Sequence, residues 1–243
     1  EVLHRDLEKA RSYVLSLLPA PIATSTPQTE WFIVPSARVG GDAFGYGELD
    51  DAKFVSFLFD VSGHGIGAAM LSVSILNVLR QRALPGCDFK SPTDVLGRLN
   101  DMFQMDNHNG MFFTIWYGVF DKHHQRLTYA SAGHHPAYLV SADRTQITPL
   151  KTEGPLIGVL EEFTVKEGTA EIPPNASLHL FSDGVFEVDD VKGQQLGLKS
   201  LLPLLQQPAV EGRSEPQRIY QNVREFARSG PLDDDFSYLV VKC

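Results

Sequence analysis

Acids recur beside glycine at the ends of apolar runs. Asp42 follows Gly40-Gly41, Asp60 closes the run FVSFLFD just before Gly63, and Asp183 precedes Gly184. Asp233-Asp234-Asp235 stands directly before the last apolar run, FSYLVVK. Glycine next to an acid lets backbone and ligand approach closely. A single Asp-Gly pair is ordinarily a turn, but four such places in one chain ask for a shared purpose. Carboxylates brought together raise one another's pKa unless cations hold them. Oxygen ligands with few histidines suit Mg²⁺ or Mn²⁺ better than zinc.

Rival chemistries fail on spacing. VSGHG is not the Gly-x-Ser-x-Gly nucleophile elbow, because the residue two before Ser62 is Asp60. GHGIG lacks the dinucleotide-binding glycine spacing, and no Gly-Lys-Ser/Thr phosphate loop occurs. The pairs His123-His124 and His134-His135 lack cysteine partners and helical spacing, which speaks against zinc. His123-His124 reads as a hairpin tip. RVGGDAF looks like the Gly-Gly-Asp-Glu-Phe signature of diguanylate cyclases, but Ala43 stands where that family uses Glu.

The elements that must position the acids are mostly strands. WFIVPSARVGGDAFGYGELD suggests a strand, a tight turn at Gly40-Gly41 and a second strand. Residues 53–59 read as a strand, and 67–82 as a buried helix apolar nearly all round. Residues 92–105 read as a helix with Ser91 as N-cap and Pro92 in the first turn. MFFTIWYGVF, QRLTYASAG and PAYLVSAD follow at hairpin spacing and should pair antiparallel. SLHLFSDGVFEV is a strand ending at Asp183-Gly184. Residues 196–228 hold two helical patterns around a polar loop, and FSYLVVK closes the chain as a strand. Strands grouped with strands and helices with helices predict an α+β fold.

At the other end, Leu3, Leu7, Ala10, Val14 and Leu17 form a short heptad seam that Pro19 ends. It packs on its own domain or closes a coiled-coil linker that would favour a homodimer. Residues 19–29 read as a connector. The 243 residues, 43% of them hydrophobic, suffice for a substantial core. The chain opens on Glu1, which suggests a fragment of a longer protein. Two cysteines fit a reducing, cytoplasmic setting. A formal net charge of −9 argues against a nucleic-acid partner, and no run is apolar enough for a membrane span.

Taken in order, VGGDAFGY, FDVSGHGIGAAML, NGMFFTIWYGVFD, LTYASAGHHPAYLV, LHLFSDGVFE and DDDFSYLVVK resemble the metal-dependent serine/threonine phosphatase (PPM) family, in its bacterial SpoIIE/RsbU-like branch. The likeness covers about residues 30–243. It implies two antiparallel β-sheets packed as a sandwich and flanked by helices. It also implies two Mn²⁺ or Mg²⁺ ions. Asp60 would bridge them, Asp42 and the backbone carbonyl of Val61 would hold one, and Asp183 and Asp234 the other, with Asp235 as the second member of the last motif. Arg38 would contact phosphate. Ser62 reads as a turn residue and so does His64, while His134 matches a recurrent histidine of the branch. The implied reaction is direct hydrolysis of phosphoserine or phosphothreonine by metal-activated water, on a regulatory protein such as an anti-sigma-factor antagonist. Residues 1–19 would then link a sensory or receiver domain to a phosphatase domain at 20–243. The alternatives are a pseudophosphatase acting as a binding module, and the cyclase-like reading.

Overall fold

The structure, a computed structural model, describes residues 12–36 and 40–243. Leu3, Leu7 and Ala10 of the heptad seam, and Arg38, lie outside the described residues. The chain divides into two units, each with a five-stranded antiparallel sheet and its own helices. The first unit draws on Glu1–Ala20, Val39–Pro136 and Leu150–Glu171; the second on Pro21–Arg38, Ala137–Pro149 and Ile172–Cys243. Strands and helices are numbered along the chain.

In the first unit the sheet order is β2 (Ala43–Glu48), β3 (Lys53–Val61), β4 (Phe113–Asp121), β5 (Arg126–Ala132) and β8 (Gly168–Glu171). The central strands are apolar on both faces, and Phe57, Leu58, Phe59, Trp116 and Tyr117 are buried. Helix α1 (Ile66–Arg80) packs on β2 and β3, and α2 (Pro92–Met102) on β4 and β5. Ser91 caps α2 as expected, its hydroxyl accepting from the Asp94 N–H. The β4–β5 turn is held by the Asp121 carboxylate, which accepts from the His123 and His124 N–H groups. His123-His124 therefore sits at a hairpin tip, as the sequence suggested.

In the second unit the order is β1 (Gln28–Val34), β10 (Phe236–Lys242), β9 (Ser177–Phe181), β6 (Ala137–Val140) and β7 (Ile147–Leu150). Helix α3 (Gly197–Gln206) packs on α4 (Glu215–Phe226), and α4 covers β1 and β10. The core joins Phe181, Phe236 and Tyr238 of the sheet to Leu201, Leu205, Ile219 and Val223 of the helices.

Three expectations need correction. Among the described residues there is no tight turn at Gly40-Gly41, and the strands on either side go to different sheets: β1 pairs with β10 and β2 with β3. β5 and β6 stand at hairpin spacing, yet β6 pairs with β9 in the other sheet. Gly133 at φ 65° and Pro136 end the β5 ladder there. Helix α1 is not buried all round: Met70 is 67% exposed. Its covered face is Ala68, Ala69, Leu71, Ile75, Leu76 and Leu79.

A buried polar network stitches the second unit. The Glu215 carboxylate receives both Arg218 (Nε, 3.0 Å) and Arg144 (Nη1, 2.9 Å; Nη2, 3.1 Å). His179, fully buried, hydrogen-bonds the Tyr238 hydroxyl and the Ser177 hydroxyl, each at 2.9 Å. Burial would raise the Glu215 pKa, but the Arg218 and Arg144 hydrogen bonds outweigh it and bring it to about 2. Burial pulls His179 down to about 4 from an ordinary 6.5. In both cases the unfolded chain takes up the proton first, so stability falls with falling pH. The window runs from 6.5 to about 4 for His179 and from 4.5 to about 2 for Glu215. Denaturant midpoints measured from pH 7 downward are expected to fall. The part of that slope between pH 6.5 and about 4 is expected to vanish in His179→Gln.

Candidate metal centre

The first pair of acids is set by strand register. Ala43 faces Phe59 across β2 and β3. The Val61 N–H donates to the Gly41 carbonyl at 3.4 Å, so the ladder continues past Ala43 and sets Asp42 opposite Asp60. On its other side Asp60 faces Thr114 of β4. Directly opposed residues share a face, with Cβ atoms about 4.5–5.5 Å apart, and like charges there are destabilising. Asp42 is buried and Asp60 half-buried. A Cβ on Gly41 would stand 2.5 Å from the Val61 carbonyl oxygen, so glycine is required for this approach. The turn after Asp60 is fixed by Ser62, whose N–H donates to the Phe112 carbonyl (2.8 Å) and whose Oγ accepts from the Phe112 N–H (3.0 Å). Ser62 is thus a turn residue, as expected. Gly65, at φ 95°, starts α1.

The second pair is set by a turn laid against the strand before β10. Asp183 lies two residues past β9 and opens a 3-10 turn, Asp183–Val185; its carbonyl accepts from Phe186 and Glu187. Ser182 fastens that turn, donating its hydroxyl to the Asp235 carbonyl (3.0 Å) and accepting from the Ser237 N–H (3.2 Å). A Cβ on Gly184 would lie 2.1 Å from the Asp235 carbonyl oxygen, which leaves no room for any side chain. Burial, then the charges of Asp234 and Glu187, hold the Asp183 carboxyl up at about 6. The three aspartates before β10 divide their work. Asp233 pairs with Arg228 at 2.6 Å, Asp235 accepts from the buried Ser36 N–H at 2.7 Å, and Asp234 is exposed beside Asp183.

The glycine contacts and the Ser182 clasp were not singled out from sequence, although Gly41 and Gly184 flank the acids in plain view. Gly184→Ala should cost about 1–3 kcal/mol by overpacking. Thermal melting should drop by several degrees, while Gly193→Ala, at an open turn, should show only local backbone strain.

His64 is exposed, and His134 is buried with Nδ1 2.9 Å from the His135 carbonyl oxygen. Burial and the neighbouring His135 hold His134 neutral, well below the ordinary histidine range. Among the described residues, no group of three or more His, Cys, Asp or Glu side chains is gathered as for a metal ion. The acids occur as one pair in each unit.

The profile of the family described as Stage II sporulation protein E (SpoIIE) matches residues 50–243. The chain belongs to the SpoIIE family of PPM-type phosphatases. It is 29% identical over 187 residues to the phosphoserine phosphatase RsbP of Bacillus subtilis, covering 75% of this chain and 45% of that one. The chain thus spans about half the length of this curated relative. Among solved structures it is similar to the SiaA-PP2C domain of Pseudomonas aeruginosa, with TM-score 0.79 and 18% identity over 99% of this chain and 97% of that one. It is also similar to RsbX in complex with magnesium, with TM-score 0.63 and 19% identity over 91% and 98% of the two chains. These likenesses show that the SpoIIE-family chain has the PPM fold, two antiparallel sheets flanked by helices.

The residues present fit divalent cations. Every donor is a carboxylate or carbonyl oxygen, the set favoured by Mg²⁺ and Mn²⁺. Asp42 is opposed to Asp60 by register, and the charge of Asp234 acts on Asp183, arrangements that repel themselves until a cation intervenes.

Proposed function

We propose that this SpoIIE-family chain is a Mg²⁺- or Mn²⁺-dependent phosphatase that releases phosphate from phosphoserine or phosphothreonine on a regulatory protein. The observation that carries the reading is the register that opposes Asp42 to Asp60, with the second acid pair, Asp183 and Asp234, in the same chain. Asp60 and Asp42, with the Val61 carbonyl, would hold one ion, and Asp183 and Asp234 would hold a second. When bound, such ions lower the pKa of water and offset phosphate charge during in-line attack. Asp235 is a positioning residue, because its carboxylate already holds the Ser36 N–H. Arg38 contacts the phosphate. Direct attack by metal-activated water needs no nucleophilic serine, and Ser62 serves the turn, its N–H donating to the Phe112 carbonyl and its Oγ accepting from the Phe112 N–H.

RsbP, named a phosphoserine phosphatase, supports the substrate class, and the magnesium complex of RsbX supports the cofactor. The substrate is a phosphorylated anti-sigma-factor antagonist in the cytoplasm. Residues 1–19 connect an upstream sensory or receiver domain to the phosphatase domain at 20–243, with a homodimer formed through that segment. The test is phosphate release from a serine-phosphorylated antagonist protein and from phosphoserine peptides. Release is expected with Mn²⁺ or Mg²⁺ and should disappear with EDTA. Absence of release with either metal on every substrate would overturn the reading.

A further inference from the structure

The turn that follows Asp60 is tied by backbone hydrogen bonds to a second loop of the same unit. Ser62 pairs with Phe112, and Val61 faces Phe113. Phe113 in turn exchanges hydrogen bonds with Ile157, at 3.3 Å and 3.0 Å. Two strand spacings therefore separate Val61 from Ile157, about 10 Å.

Beyond Ile157 the loop is clamped by its backbone. Asn100, fully buried on α2, accepts from the Gly158 N–H and donates to the Leu160 carbonyl, each at 2.8 Å. The Met105 N–H donates to the Gly158 carbonyl at 2.9 Å. Gly158 has φ 90°, and a Cβ there would lie 2.3 Å from the Phe103 carbonyl oxygen. A buried asparagine and an irreplaceable glycine thus fix the backbone of this loop. Yet the clamp turns apolar side chains outward: Val159 is 38% and Leu160 49% exposed. Glu161 and Glu162, both exposed, follow directly. A lone exposed aliphatic residue needs no explanation. Two adjacent ones, on a backbone fixed this firmly and two strands across the same unit from the Asp60 turn, do.

We infer that Val159–Glu162 is a docking ridge for the phosphoprotein substrate, and that it takes a segment carrying an apolar residue beside lysine or arginine. The acids cannot receive the phosphate, because like charges repel, so they receive the substrate's cations. Continuity with the Asp60 turn makes the occupant the substrate itself. This inference rests on the phosphatase reading above.

The test uses phosphoserine peptides of about fifteen residues, long enough at roughly 3.3 Å per residue to reach from the acids to the ridge. One set carries leucine with arginine on either side of the phosphoserine; the other carries glycine with glutamate. A small aryl phosphate reports on the acids alone. Wild type is expected to prefer the leucine–arginine set by about tenfold in kcat/KM, the size of one apolar side chain losing its partner. Val159→Ser combined with Leu160→Ser should remove that preference through KM and leave aryl phosphate turnover unchanged. Glu161→Lys combined with Glu162→Lys should shift the preference toward the glutamate set. A wild type that turns over both sets equally, or a preference that survives both double variants, overturns the ridge while leaving the phosphatase reading intact. Failure of wild type on aryl phosphate and on every peptide overturns both.

Discussion

Asp60→Asn is expected to keep its fold and lose at least about 100-fold of Mn²⁺-dependent phosphate release. The magnitude follows from a comparison: residues that merely orient metal ligands typically cost 10–100-fold when removed, and Asp60 is proposed to be a ligand itself. The stability of the metal-free protein should move the other way. Asp60 faces Asp42 across β2 and β3, and removing one of two opposed like charges relieves roughly 0.2–1 kcal/mol of repulsion. Melting in EDTA should therefore show Asp60→Asn equal to or slightly above wild type. Adding Mn²⁺ should raise the melting temperature of wild type by more than that of the variant, which keeps only the Asp183 and Asp234 pair, since a ligand stabilises only the state it binds. Activity within a few-fold of wild type would show that Asp60 is not a ligand.

Glu215→Gln should be the most destabilising single change in the second unit. Arg218 is 3% exposed and Glu215 6%, so the carboxylate neutralises a guanidinium that has no access to water. Breaking a buried ion pair by removing one partner costs about 3–5 kcal/mol, because the other charge stays buried and unmatched. In a domain of this size that amounts to a melting temperature lower by roughly 10 °C. The loss spreads beyond α4. Arg144 loses the same carboxylate, and it tethers the β6–β7 turn to the Leu205 and Gln207 carbonyls at the end of α3. A melting temperature within 2 °C of wild type, a margin of about 1 kcal/mol, would mean that the pair contributes specificity and not stability.

The acids and most of the strands were legible in the sequence because both are local signals. An apolar run ending in Asp and Gly announces itself, and so does Ser91 followed by proline. Sheet membership was not legible. The segments of β5 and β6 have hairpin spacing, yet the chain changes sheets at Gly133–Pro136, and no periodicity marks such a change. β7 (ITPL) and β8 (GTAE) are four residues long with little apolar alternation, so nothing separated them from loop. Helix α1 carries apolar residues on every side, and that pattern cannot say which side is covered. The cap of α4 was readable and overlooked: Ser214 and Gln217 form a capping box. The acids of the proposed site could be read, whereas the pairing of Asp42 with Asp60 required the register.

The strand order of the second sheet has a consequence for how the protein is made. β10 lies between β1 and β9, and Lys242 pairs with Gln28. At a ribosomal rate of about 5–20 residues per second, β1 waits roughly 10–40 s for its neighbour. Through that interval β1 stands without its strand partner on the nascent chain, a hazard for mispairing that invites chaperone attention. Asp234 emerges just ahead of β10, so a chain interrupted in translation before this point lacks a proposed metal ligand and a central strand together.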